Sequence, residues 1–240
     1  MMKLYRKNEI LFAVLAIVVY VVVCGNLRSM GDDNPYMTLF LLAYAAVLFV
    51  FVKRNGLTGY YGLSGWARNN RQMLYFLPLW VLASGNLWGG IVPKYTGTGL
   101  VCAVISFALV GFVEEMIFRG FLFRAMLKDG KASTAIIVSA VTFGVGHIVN
   151  LLTGHGSLET FVQMGFAVAV GFLFTMAYFK SGSLWPVILS HSLIDVFSVF
   201  SGRSGLSERI FLAVTLVMTA VYCLYLRRVK TPPAMEAERG

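Results

Sequence analysis

Eight stretches of this chain are apolar over roughly the 17–25 residues that an α-helix needs to cross a hydrocarbon core. They are Ile10–Leu27, Tyr36–Val52, Met73–Val92, Leu100–Met126, Ala132–Leu152, Leu158–Phe179, Leu184–Phe200 and Arg209–Leu226. In lipid every backbone N–H and C=O has to be satisfied by the protein itself, and a helix does this within one segment. The fourth stretch is long enough to tilt or protrude; the seventh is short. Charge content agrees with this reading. Only 13% of residues are charged, against roughly 25% in soluble domains, and the mean hydropathy is +0.75. The expected fold is all-α: a polytopic integral membrane protein of about eight transmembrane helices. One transmembrane domain is expected over 1–230, followed by a disordered cytoplasmic tail over 231–240 that opens with Pro232 and Pro233.

Loop charges order the spans. Lys3, Arg6 and Lys7 precede the first, and Lys53, Arg54, Arg68 and Arg71 follow the second. Arg124, Lys128 and Lys131, then Lys180, then Arg227, Arg228 and Lys230 complete one set of basic loops. The alternate loops carry Arg28 with Asp32 and Asp33, Lys94, Glu159, and Arg203 and Arg209 with Glu208. Positive loops stay on the cytoplasmic side, so both termini are expected there, in the plasma membrane of a bacterium given so small and loop-poor a chain. The net charge of +9 is thereby assigned to the membrane surface. Nucleic acid is not an expected partner, because no basic cluster is interleaved with exposed aromatics. V-V-V-C at 21–24 lacks the small residue wanted before a lipoprotein cysteine and no A-x-A site follows, so the first span reads as an uncleaved anchor. Gly56–Trp66, rich in Gly and Tyr between basic residues, reads as an interfacial segment. Pro78 and Pro186 mark expected kinks. Cys24, Cys102 and Cys223 lie in apolar runs without metal-like spacing and read as inert thiols.

Against this background V-E-E-M-I-F-R-G, residues 113–120, is costly. Each charge at a helix centre costs about 2.5–3.5 kcal/mol on insertion scales. Glu115 and Arg119 are four apart with the acid first, the better orientation for an ion pair. Glu114 lies about 100° further round the helix and is free for another partner. A polar seam between packed helices would explain the pair; the second acid points to function. F-G-V-G-H puts Phe143 and His147 one turn apart, with Gly144 and Gly146 admitting a neighbouring backbone. H-S-L-I-D likewise puts His191 and Asp195 on one face. Asn150 and Gln163 read as interhelical hydrogen-bonders or cavity-lining groups, and His155 as an ordinary loop residue. At about 1.5 Å rise per residue, Glu114 and His147 come out roughly 20 Å from their cytoplasmic helix ends and His191 roughly 10 Å from its own.

The three motifs, Glu114-Glu115-x-x-x-Arg119, Phe143-x-x-x-His147 and His191-x-x-x-Asp195, lie in that order on successive apolar segments. They resemble the CPBP family of intramembrane proteases, also called the CAAX-protease and bacteriocin-processing (Abi) family, which includes the Rce1-type enzymes. The resemblance covers about 100–200. It implies an eight-helix glutamic-type endopeptidase with a polar catalytic cavity between its helices. Glu114 and His147 would activate a water; His191 and Asp195 would stabilise the oxyanion, with Glu115, Arg119 and Phe143 in support. Asparagine often fills the last position of the family pattern. A carboxylate donates to an oxyanion only when protonated, so orienting His191 through its other ring nitrogen is the expected role of Asp195. Peptides or membrane-associated proteins, some of them lipidated, are the implied substrates, and membrane lipid is the other partner.

Two further classes compete with this reading. Glu114, His147 and His191 could hold zinc with water in a fourth position, making an intramembrane zinc metalloprotease. The lack of H-E-x-x-H puts catalysis without a cofactor ahead of it. A non-catalytic scaffold or immunity protein, or a proton-coupled transporter, could also use a titratable bundle core. No inverted repeat or pair of broken helices supports transport.

Overall fold

The computed structural model describes residues 1–147 and 157–236; Asn150 and His155 lie outside them. Within the described residues the chain is helical, with no strand beyond an isolated bridge between Ile91 and Ser201. A short α1 (Met2–Lys7) leads into α2 (Glu9–Arg28), α3 (Pro35–Arg54) and α4 (Leu77–Ser84). A continuous helical rod follows, made of α5 (Gly97–Glu114), a π-helical run over Glu115–Phe123 and α6 (Arg124–Asp129). Then come α7 (Ala132–Gly146), α8 (Ser157–Ser181), α9 (Trp185–Ser198), α10 (Gly205–Leu226) and a last turn, α11 (Pro233–Glu236).

Polar caps mark where several helices begin. Asn8 Oδ1 accepts from Leu11 N at 2.8 Å and Asn34 Oδ1 from Met37 N at 2.9 Å, while Ser204 and Ser207 form a capping box at the start of α10. Among the described residues five helices are long and apolar enough to cross a membrane: α2, α3, the α5–α6 rod, α8 and α10. At the remaining expected spans lie shorter helices: the apolar Leu74–Leu87, which contains α4, the apolar α7, and α9. Expected span three is not one helix. Leu74, Tyr75 and Phe76 turn left-handed with φ near 51–57°, and Pro78 sits in the first turn of α4. Pro186 similarly starts α9. Neither proline kinks a span, because a residue lacking an N–H fits a first turn without losing a hydrogen bond.

The rod is the axis of the bundle. Every residue of its π run is buried, α3 and α9 pack along α5, and α2 and α7 pack on the π run. α2 and α10 bury only 33% of their apolar windows. They turn Val18, Val22, Val217 and Val221 outward, the surface expected of lipid-facing helices. Two close backbone approaches set the inner spacing. A Cβ on Gly111 would lie 2.7 Å from Ser192 Cα, and one on Gly144 would lie 2.9 Å from Met164 O. Gly146 meets only ordinary side-chain contacts, so of the two glycines in F-G-V-G-H only Gly144 admits a neighbouring backbone. Gly111→Ala must separate α5 from α9 and is expected to destabilise the protein by about 1–3 kcal/mol, the usual range for overpacking. A melting curve in detergent checks this.

The two ends of the bundle differ. At the basic end, residues 56–66 form a packed cover: Tyr61 is buried, Ser183 Oγ donates to Gly65 O at 2.9 Å, and Trp185 Nε1 donates to Leu63 O at 3.0 Å. The short α9 therefore starts beneath this cover, which accommodates the shallow depth expected for His191. Residues 229–235 pack there as well. Lys180 Nζ donates to Val229 O at 2.7 Å and Thr231 Oγ1 at 3.0 Å, Arg124 Nη1 donates to Ala234 O at 3.2 Å, and Met235 is buried. At the opposite end Lys94 N donates to Val199 O at 2.9 Å, tying the α4–α5 connection to the end of α9.

Candidate functional site

The end of α5 delivers Glu114 and the first π residue delivers Glu115, so the two carboxylates leave the rod in different directions. Glu115 is fully buried and faces inward along the rod. Its Oε1 accepts from Arg119 Nη1 at 2.9 Å and meets His191 Nδ1 at 2.8 Å. Arg119, also fully buried, reaches Thr175 Oγ1 at 3.4 Å and Gly171 O at 3.3 Å, and its guanidinium lies 4.2 Å from the centre of the Phe143 ring. The ion pair read from i,i+4 spacing is thus a hub joining the rod, α8 and α9.

Glu114 points elsewhere. Its Oε1 accepts from Tyr20 Oη of α2 at 2.6 Å, and its Oε2 lies 3.6 Å from His191 Nε2. Asp195 Oδ2 is also 3.6 Å from that same Nε2. The orienting bond to the far ring nitrogen of His191, expected of Asp195, is made by Glu115. Nδ1 is held while Nε2 faces Glu114, Asp195 and open space. With Nδ1–H donating to Glu115, Nε2 carries a proton only when the ring is an imidazolium.

His147 follows the last residue of α7, and its Nδ1 lies 3.2 Å from Phe143 O. Phe143 packs edge-on to both histidines, with ring centres 5.4 Å from His147 and 5.7 Å from His191. It spaces the two imidazoles and covers Arg119. Glu114 and His147 share two spaces. One is a chamber of about 530 Å³, also lined by His191, Asp195 and Gln163. The other, about 30 Å³ and lined by Tyr20, Cys24 and Arg28 as well, is large enough for a single water. All four residues expected to act, Glu114, His147, His191 and Asp195, therefore line one chamber. Among the described residues no three His, Cys, Asp or Glu side chains are arranged to hold a metal ion. The zinc set considered from sequence, Glu114, His147 and His191, is not brought together as metal ligands.

Tyr20 is the site residue that motif reading misses. It is one tyrosine of 11, in a valine-rich run without a polar neighbour; its only signal is that a tyrosine hydroxyl buried in a span needs a partner. Hydrogen bonds to charged groups contribute about 1.5–3 kcal/mol. Tyr20→Phe removes this donor and is expected to destabilise the protein by about 1.5–3 kcal/mol, read from a melting curve in detergent.

The fold and the site define an integral membrane protein that buries an acid–imidazole cluster in a chamber between its helices. Residues 96–197 match the family model described as Type II CAAX prenyl endopeptidase Rce1-like. Over that segment, somewhat less than half of the chain, the sequence is similar to the CPBP family, whose model names an endopeptidase. A search of curated proteins and one of solved structures each gave no match. Tyr20 and Arg28 lie outside the matched segment.

Proposed function

We propose that this protein is an intramembrane endopeptidase of glutamic type, with eight membrane-crossing segments and no metal in its mechanism. The reading rests above all on the approach of Glu114 to His191 in a chamber that His147 also lines. In the proposed reaction Glu114 takes a proton from a water held between it and His147 as the water oxygen attacks the peptide carbonyl carbon. The oxygen of the tetrahedral adduct gains negative charge and is met by Nε2–H of an imidazolium at His191, in surroundings where few waters compete. Collapse breaks the C–N bond, and the proton taken by Glu114 passes to the leaving nitrogen, giving a carboxylic acid and an amine. Glu115 and Arg119 hold His191 in place, and Asp195 supports its charged form from the chamber side.

The matched family description concerns a CAAX prenyl endopeptidase, which favours a peptide on a lipidated or otherwise membrane-associated protein as substrate. Comparative peptidomics of membranes carrying the native protein or Glu114→Ala tests the reading. New termini present only with the native protein are expected. Identical termini in both, at equal protein levels, would replace the peptidase by a scaffold.

A further inference from the structure

The chamber has a direction. On the side of the basic loops it is closed by the buried Glu115–Arg119 pair and, beyond it, by the buried Phe118, Phe121, Phe123 and Tyr178. None of the described residues lining it comes from the loops at that end, whether 53–71, 124–131, 180 or 227–230. Its polar wall instead runs to the opposite end of the bundle, where Arg28, Asp32, Lys94, Tyr95, Arg203 and Glu208 line it. Arg28 and Asp32 pair there at 3.5 Å, and Arg203 Nη2 donates to Asn86 Oδ1 at 2.6 Å. The mouth thus carries mixed charge, as suits a polypeptide backbone better than a polyanion. Counting from Gly97, Glu114 lies about 25 Å along the rod from this end, so a substrate must come in as an extended segment rather than as a folded domain.

The loops beyond the closed side carry most of the positive charge. Eleven of the 20 Lys and Arg residues lie in them, and Lys3, Arg6 and Lys7 precede α2 at the same end, whereas the mouth end has four basic residues against four acidic ones. Basic loops remain on the cytoplasmic side. We infer that the chamber is entered from the non-cytoplasmic face of the membrane, and that its substrate is an extended polypeptide segment presented on that face. This rests on the peptidase reading for the word substrate, but the direction of access does not depend on turnover.

Cysteine labelling tests it in the full-length chain with Cys24, Cys102 and Cys223 replaced by Ala. Lys94→Cys at the mouth and Ser198→Cys in the chamber wall are compared with Arg71→Cys at the basic end, using a membrane-impermeant maleimide. Labelling of the first two in intact cells, at least tenfold above Arg71→Cys, is expected, with the order reversed in inverted membrane vesicles. Labelling of Lys94→Cys and Ser198→Cys only in inverted vesicles would overturn the inference. Ser198→Cys labelling at equal rates from both faces would overturn it too. Adding Glu114→Ala should leave the pattern unchanged, so a failure of the peptidase reading would appear in the peptidomics and not here.

Discussion

Glu114→Gln is expected to lower peptide-bond hydrolysis by about 10³-fold, within the 10²–10⁴ range that a positioned general base contributes, and to leave the protein folded in the membrane. Glutamine keeps the length and shape of the side chain, and its amide oxygen still accepts from Tyr20 Oη, the 2.6 Å partner of Glu114. What is lost is a lone pair able to take a proton and hold it. The charge contact with His191 Nε2 at 3.6 Å is lost as well, while the hub around Glu115 Oε1, on the other ring nitrogen of His191, is kept. Single-turnover cleavage of a peptide found by the membrane comparison measures the effect, with equal amounts of protein in the membrane as the control. A Glu114→Gln protein that cleaves at the native rate would end the role assigned to this carboxylate.

Arg119→Ala should produce the largest loss of stability of any single change in the site, about 3–5 kcal/mol, the cost of leaving one half of a buried ion pair unpartnered. Both side chains of the pair are fully inaccessible, so no solvent can replace the lost partner. The substitution also empties the space beside Phe143 and Thr175 and leaves Glu115 Oε1 with His191 alone. Arg119→Lys recovers only part of this, since an ammonium cannot reach Glu115, Thr175 and Gly171 together as a guanidinium does. By contrast the Lys128–Glu9 pair sits at the surface, with the Lys128 side chain 53% exposed; Lys128→Ala is expected to cost less than about 1 kcal/mol. Melting temperatures of the three variants in one detergent give the order directly. An Arg119→Ala protein as stable as Lys128→Ala would mean that the buried pair carries no structural weight.

Hydrophobic runs made five long helical spans readable, because their length and the needs of a backbone in lipid leave little choice. They could not reveal that the third would break at Leu74–Phe76, where the backbone turns left-handed in the middle of an apolar sequence. The pairing of Glu115 with Arg119 followed from helix spacing, and the grouping of Phe143 with His147 from the same rule. Which ring nitrogen of His191 meets which acid did not follow. That depends on the rotation of α9 against the rod, fixed by the fit of Gly111 against Ser192. Tyr20 escaped for a similar reason, since a partner 94 positions away leaves no mark on local spacing.

The π run from Glu115 to Phe123 also bears on how this sequence can change. A helix with i→i+5 bonds holds more residues per turn than an α-helix. Removing one residue from the run would let it close as an ordinary helix with sound hydrogen bonds. It would also re-aim the side chains within the run relative to Glu114. Glu115 and Arg119 could then no longer both keep the partners they have on α8 and α9. Within these nine positions, substitution is therefore the easier route of drift and a change of length the harder one, so related chains should vary here in side chains while keeping the residue count between Glu114 and Arg124.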